Sequence, residues 1–226
     1  MRILRDFLKT RIYHIFRLYD SLPIQPFSKF ITKFIYLKYG VKNRNKRMIF
    51  GIGLSRTGTT SLNDALNQLG FKSKHFIYFP ISGKIPYWYY TLNNYSGATD
   101  TPVAANYKRL TKLYPNAKFI LTIREINSWL ESCEKFFKYQ FHMKKMRKWV
   151  KQIHLKLYNS LYFDYESFKK GYYQHLNGVL EFFKNKPNNL LILDINAGDG
   201  FEKICPFLGL EVINKKFPHK NIAKKI

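Results

Sequence analysis

Apolar positions along the chain change their period repeatedly, and each change predicts an element. "RMIFGIG" at 47–53 is a short apolar run stopped by glycines; in the following "TTSLNDALNQLG", Leu62, Ala65, Leu66 and Leu69 recur at helical spacing and Gly70 supplies the stop. That succession predicts strand, tight loop, helix. "FKSKHFIYF" predicts a second strand carrying His75, and the irregular aromatic stretch from there to "GATDTP" predicts helix and loop near a binding site, with Asp100 ending a further strand. "VAANYKRLTKLYP" predicts a helix and "NAKFILTIRE" the clearest strand, ending at Arg124. "INSWLESCEKFFKYQ" then predicts a helix with Trp129, Cys133, Phe136 and Phe137 facing the core. Residues 139–186 read as helical throughout, "NNLLILDI" as a last strand, and "GFEKICPFLGLEVINKKFPHKN" as a short helix followed by a basic segment. Strands alternating with helices imply an α/β fold with a mostly parallel sheet and helices on both faces. On such a sheet, ligands gather at the carboxyl ends of strands.

Upstream the pattern differs. "MRILRDFLKTRIYHIFRLYD" sets Leu4, Phe7, Leu8, Ile12, Ile15 and Phe16 at helical spacing among Arg2, Arg5, Lys9, Arg11 and Arg17. It predicts a basic amphipathic helix, suited to an anionic membrane surface or to packing on the domain or a partner. "SLPIQP" interrupts it, "FSKFITKFIYLKYG" predicts a second short basic helix, and "VKNRNKR" reads as a solvated linker. Residues 1–46 are therefore expected to form a basic amphipathic helical extension and residues 47–226 one α/β domain, a size that buries a single core. The chain has no apolar run of 18 residues and no signal-peptide pattern at its start. With only Cys133 and Cys205, a cytoplasmic setting is expected, with membrane association through residues 1–20.

Charge sharpens this picture. Lys and Arg number 39 against 14 Asp and Glu, a formal net charge of +25. Such a balance steers anionic partners toward the surface without naming them, and some of the lysine excess fits a general bias toward Lys, Asn, Tyr, Phe and Ile.

The candidate chemistry begins in "GIGLSRTGTTSL". Gly53 and Gly58 have the separation of the glycines in a phosphate-binding loop, GxxxxGK[ST], but Thr59 stands in the lysine position. A glycine-bounded turn between strand and helix directs backbone N–H groups at an anion, and the helix N-terminus adds partial positive charge. Thr57, Thr59, Thr60 and Ser61 add hydroxyls, and Arg56 is the loop's cation. Capping of the helix by Thr59 or Thr60 is the plainer reading of the hydroxyls. A nucleoside triphosphatase or kinase would need the absent lysine, although "LLILD", ending at Asp194, resembles a Mg²⁺-holding strand. Further on, Arg124 ends a strand and Ser132 follows eight residues later on a helix, a little over two turns away. An arginine fork suits a phosphate, so the two regions together suggest a ligand with two separated anionic groups.

Together these residues resemble the PAPS-dependent sulfotransferase family, in particular its short soluble P-loop branch. "GLSRTGTTSL" is similar to the family's 5′-phosphosulfate loop, with Arg56 where many relatives have lysine, and "ILTIREINSWLESC" to its 3′-phosphate motif. "DTP" at 100–102, "YPNAKFILTIR" and the C-terminal segment extend the similarity over about residues 48–221. It departs at Phe201, where relatives often place tryptophan. The resemblance implies a P-loop-type fold and transfer of a sulfuryl group from 3′-phosphoadenosine 5′-phosphosulfate (PAPS) to a hydroxyl or amine, with no metal required. It implies that Ser55, Arg56, Thr57, Gly58, Thr59, Thr60 and Ser61 bind the 5′ end of the co-substrate and Arg124 and Ser132 its 3′-phosphate.

Arg56 would also act in catalysis, with His75 the expected base and Asp100 a second base or an orienter. A hydrogen-bonded structural histidine and a turn-forming aspartate are the plainer readings of those two. Lys215, Lys216, His219 and Lys220 read as a solvated basic tail or as a cover over the 3′-phosphate. The acceptor is expected to be an anionic glycan or lipid, or a small apolar alcohol; no specific nucleic acid is expected. A noncatalytic protein binding nucleic acid or acidic membrane is the remaining alternative.

Overall fold

The computed structural model describes residues 45–77, 88, 91–140 and 147–219, with side chains left aside at 138–140. The helices expected over residues 1–20 and 27–40, most of the aromatic stretch between His75 and "GATDTP", and Lys220 lie outside the described residues.

The sheet has five strands: β1 (Ile49–Gly51), β2 (Ser73–His75), β3 (Gly97–Thr99), β4 (Lys118–Thr122) and β5 (Leu190–Leu193). They lie in the order β2-β3-β1-β4-β5, and every neighbouring pair is parallel. Phe50 sits opposite Ala98 on one side and Phe119 on the other.

Between strands run α1 (Thr59–Gln68), α2 (Thr101–Ala104), α3 (Tyr107–Leu113), α4 (Ile126–Gln140), α5 (Lys148–Tyr158) and α6 (Tyr165–Phe183), with α7 (Phe201–Leu208) after β5. From β1 the chain moves outward to β2, and from β3 it crosses back over β1 to β4. The reversal opens a crevice at the carboxyl ends of β1, β3 and β4, where an α/β sheet places its ligands.

Alternation along the strands decides which helices cover which face. Met48, Phe50, Ile52, Ala98, Phe119 and Leu121 pack with Tyr107 and Leu110 of α3 and with Val179 and Phe183 of α6. On the other face, Ile49, Ile120 and Leu193 meet Leu62 and Leu66 of α1 and Ile204 and Leu208 of α7. A third cluster joins α4, α5 and α6 through Trp129, Phe137, Leu157, Tyr158 and Phe168 and reaches Leu54 beside the first loop. Tyr158 and Phe168 stack with centroids 4.4 Å apart. Each such fully buried side chain contributes about 1.5–3 kcal/mol.

The helical stretch read over 139–186 is broken. Asn159 takes a left-handed conformation (φ 56°) at the end of α5, and Asp164 caps α6 by accepting from the Ser167 N–H at 2.8 Å. Asparagine adopts that conformation more readily than bulkier residues, and an aspartate three residues before a serine N–H makes a ready cap, so two local signals overrule the continuous apolar period. In α6, Gly171 lets the helices touch: a Cβ there would sit 2.4 Å from the Leu157 carbonyl.

Candidate active site

The loop leaving β1 is fixed by its glycines. A Cβ on Gly53 would fall 1.8 Å from Thr122 Oγ1, so only glycine lets β1 pass this close to β4. Gly58 has φ 96°, serves as the N-cap of α1, and supplies no side-chain cap. Arg56 also turns left-handed, at φ 73°.

The loop hydroxyls point elsewhere than to capping. Thr57 Oγ1 donates to the Leu54 carbonyl at 2.7 Å, leaving the Thr122 hydroxyl to donate to Thr57 Oγ1 at 2.6 Å. Ser55 Oγ donates to Asp100 Oδ1 at 3.0 Å, and Thr59 Oγ1 reaches the same oxygen at 3.4 Å. Thr59, in the lysine position of a triphosphate loop, is therefore directed to a carboxylate. Ser61 is buried in the first turn of α1, whose N–H groups face out of the helix.

His75, at the end of β2, joins this cluster. Its Nε2 lies 3.3 Å from Thr60 Oγ1 and 3.3 Å from Asp100 Oδ2, and its Nδ1 lies 3.1 Å from Thr99 Oγ1. The imidazole is about a third exposed while the Asp100 carboxylate is buried, so the ring is the part open to a reactant. Asp100 has φ 86° and ψ −178°, a region that glycine alone occupies without strain, at a cost of about 1–3 kcal/mol.

The two arginines approach from the opposite side. Arg56 Nε donates to Ser132 Oγ at 2.9 Å, and its guanidinium lies 5.0 Å from the centre of the Phe136 ring. Burial lowers the Arg56 pKa; Cys133 and Asp100 raise it, whereas Arg124 lowers it further. Arg124 gives Nε and Nη2 to Ser128 Oγ, at 3.0 and 2.7 Å, and Nη1 to the Arg56 carbonyl at 3.4 Å. Ser132 thus meets Arg56, and Arg124 is held by Ser128, one turn before it on α4. The spacing of four residues is legible in "REINS", residues 124–128. Two guanidinium groups flanking one loop repel each other, and an anion between them offsets that repulsion.

Supports behind the site also escaped the sequence pattern. Trp129 Nε1 donates to the Ser55 carbonyl at 2.9 Å, and the Tyr172 hydroxyl donates to the Arg124 carbonyl at 2.6 Å. Trp129 reads as plain core from its spacing. Asp194 accepts from the N–H groups of Asn196 and Ala197 at 3.1 Å, a turn-forming use of its carboxylate. Phe201 is buried against Phe217, centroids 5.1 Å apart, while Lys215, Lys216 and His219 are exposed. No helix among the described residues is long and apolar enough to cross a membrane.

A five-stranded all-parallel α/β sheet with a glycine-bounded loop and two arginines at its carboxyl edge is consistent with a P-loop-type fold. Residues 48–226 match the family described as "Sulfotransferase domain", and the chain belongs to the sulfotransferase family. A relative from Aspergillus versicolor, named "Ava biosynthesis cluster protein M", is 28% identical over 214 residues, covering 74% of this chain and 78% of that protein.

Proposed function

We propose that this sulfotransferase uses PAPS as donor and transfers its sulfuryl group to a hydroxyl or amine, with His75 as base. The observation that carries the reading is the position of His75 Nε2, within 3.3 Å of both a loop hydroxyl and the buried Asp100 carboxylate.

The residues present fit the donor: a glycine-bounded N–H cradle at one end and, through Arg56, a second arginine at the other. Ser55 to Ser61 would hold its 5′ end, and Arg124 its 3′-phosphate, with Ser128 setting the fork. Ser132 would act through Arg56. When bound, PAPS supplies a sulfuryl group attached to a phosphate leaving group. As a base His75 would accept at Nε2, 3.3 Å from the Thr60 hydroxyl, and donate from Nδ1 to Thr99 Oγ1. It takes the acceptor's proton at Nε2, as the acceptor's oxygen or nitrogen bonds to sulfur and the sulfur–oxygen bond to the phosphate breaks with its electron pair. The imidazolium then faces Asp100, whose charge favours it. Arg56, Thr60 and the N–H groups of Gly58 and Thr59 stabilise the departing phosphate. A sulfuryl group in flight carries less charge than a phosphoryl group, so this set supports transfer without a metal.

The positive surface suits an anionic acceptor such as a glycan or lipid, and residues 1–20 suit contact with an anionic membrane. Incubation with ³⁵S-labelled PAPS and an extract of the source cells tests the reading. Labelled product should form, and His75→Ala should slow it by about 10²–10⁴-fold, the usual contribution of a positioned base. Arg124→Ala should weaken calorimetric binding of 3′-phosphoadenosine 5′-phosphate by roughly 1.5–3 kcal/mol. No labelled product together with no binding of the bisphosphate would overturn the assignment.

A further inference from the structure

The two edges of the sheet are unlike. At one edge, β2 carries the exposed Lys74 at its centre, a charge that deters another strand from pairing there. At the other, β5 reads Leu-Leu-Ile-Leu, with neither charge nor proline, and no strand among the described residues lies beyond it. An edge of that composition is open to strand addition.

The main chain of β5 turns one complete donor–acceptor pair outward. Residues of a parallel pair alternate between bonding to the neighbouring strand and pointing away from it. Ile123 N–H donates to the Leu193 carbonyl at 2.9 Å, so Leu193 and, two positions before it, Leu191 bond to β4. Leu190, Ile192 and Asp194 therefore direct their main-chain groups away from β4. The chain itself takes up two of those amides: Leu190 N–H donates to the Pro187 carbonyl, and Asp194 N–H to Asp199 Oδ2 at 2.8 Å. Ile192 keeps both its N–H and its C=O turned to the edge.

Apolar surface accompanies that pair. Ile192 stands in register with Leu121, which places its side chain on the face covered by α6, yet it is 42% exposed. On α6, Val179 and Phe183 face the sheet, and Tyr107 of α3 meets His175, Gly178 and Phe182. At 100° per residue, Tyr173 and Leu180 fall on the flank turned from α3, and both are exposed. A right-handed crossover from β4 to β5 lays α6 over those two strands, so this flank adjoins the β5 edge.

Charge is distributed unequally along the same edge. Before β5 come the exposed Lys184 and Lys186; after it come Asp194, Asp199 and Glu202, three of the 14 acidic residues in a chain of net charge +25. Glu181 pairs with Lys184 at 2.5 Å and Lys203 with Asp199 at 2.6 Å, leaving the strand with a basic start and an acidic finish.

We propose that β5 is the surface through which two copies of this chain associate, paired antiparallel about a two-fold axis at Ile192. A two-fold antiparallel pair consumes one outward N–H and one outward C=O on the same residue of each strand, which is what Ile192 offers. Antiparallel alignment also sets the basic start of each strand beside the acidic finish of the other, a match that a parallel pairing or an unrelated basic partner lacks. The exposed Ile192, Leu180 and Tyr173 of the two copies close over the seam, and two five-stranded sheets become one continuous sheet. This association is independent of the donor and of the role of His75.

Sedimentation equilibrium of the full chain at fixed ionic strength tests it. A monomer–dimer equilibrium should appear, and by NMR hydrogen exchange the Ile192 amide should exchange more slowly as chain concentration rises. Ile192→Lys puts a charge on the edge and should raise the dimer dissociation constant at least tenfold. Lys186→Glu, at an exposed position outside the strand, sets like charges against the partner's acidic finish and should weaken the dimer in the same direction, so the outcome does not depend on one variant folding. A monomer at every concentration, or an Ile192 amide whose exchange is independent of concentration, would overturn the proposal. So would a dimer that neither substitution weakens, since it would then form through another surface, residues 1–46 included.

Discussion

Asp100 concentrates the tension of the site in one residue. Its backbone occupies glycine's territory, yet its carboxylate accepts from Ser55 and faces His75. The strain is held by the backbone around it, where the N–H groups of Val103 and Ala104 both donate to the Asp100 carbonyl. On the proposed reading the carboxylate stabilises charged His75, and glycine would relieve the backbone while removing that group. Asp100→Asn should therefore keep the strain and lose the charge, and Asp100→Gly should lose both. Sulfate transfer should fall in both variants, whereas thermal unfolding should find Asp100→Gly more stable than Asp100→Asn by about 1 kcal/mol, strain relief less the entropy of glycine. A lower melting temperature for the glycine variant would show that the carboxylate's contacts, and not the backbone, dominate at this position.

At the level of elements, α4, α5 and α6 form the wall against which the loop rests. Trp129 of α4 reaches the Ser55 carbonyl, and Tyr172 of α6 reaches that of Arg124. The closeness of α5 and α6 depends on Gly171, because a Cβ there would meet the Leu157 carbonyl at 2.4 Å and Tyr158 Cα at 2.9 Å. Gly171→Ala must push the helices apart, since the obstacle is backbone and cannot rotate away. Overpacking of this kind costs about 1–3 kcal/mol, which denaturant unfolding should read as a lower midpoint with an unchanged slope. Because Tyr158 and Tyr172 would move with the helices, bisphosphate binding should weaken as well.

How much of these elements the sequence discloses follows from the range of the interactions that make them. The strand–loop–helix at 47–70 was legible because glycine stops, apolar period and loop hydroxyls all lie within about twenty residues. The strand expected to end at Arg124, which ends at Thr122, and the helix after it were legible for the same reason, and so was the alternation that gives a parallel sheet. The order of strands was not, since placing β3 between β2 and β1 depends on pairings between distant segments. Within the site, Arg56 and Ser132 are 76 residues apart, and no local period announces their contact. Trp129 reads as core because its ring is core, while its single polar atom serves the loop; Tyr172 packs its ring against Trp129 and gives its hydroxyl to the Arg124 carbonyl.

For the whole molecule, buried histidines tie stability to pH. His154 lies against the third cluster, edge-on to Phe137 at 5.0 Å and to Tyr158 at 5.2 Å, and burial lowers its pKa from 6.5 to about 4. Unfolding returns the imidazole to water, where it binds a proton more readily than in the folded protein. Over that interval the unfolded chain therefore holds more protons, and stability falls as pH falls. The contribution of His154 is fully present above about pH 6.5 and is lost progressively down to about pH 4. At about 1.4 kcal/mol per unit, the loss amounts to about 3–4 kcal/mol. His175, whose pKa burial also lowers, acts in the same direction, as does the added repulsion in a chain already at +25. Acid sensitivity of the parent protein alone therefore does not isolate His154. His154→Phe does, because phenylalanine keeps the aromatic edge contacts and cannot titrate. Urea unfolding of both proteins at pH 7.5 and pH 4.5, at fixed ionic strength, gives the difference between them. The parent should lose more stability than the variant across that step by about 2–3 kcal/mol, most of the full interval. Equal losses would mean that His154 is solvated or already charged in the folded state, and the acid sensitivity would then belong to His175 and the surface charge.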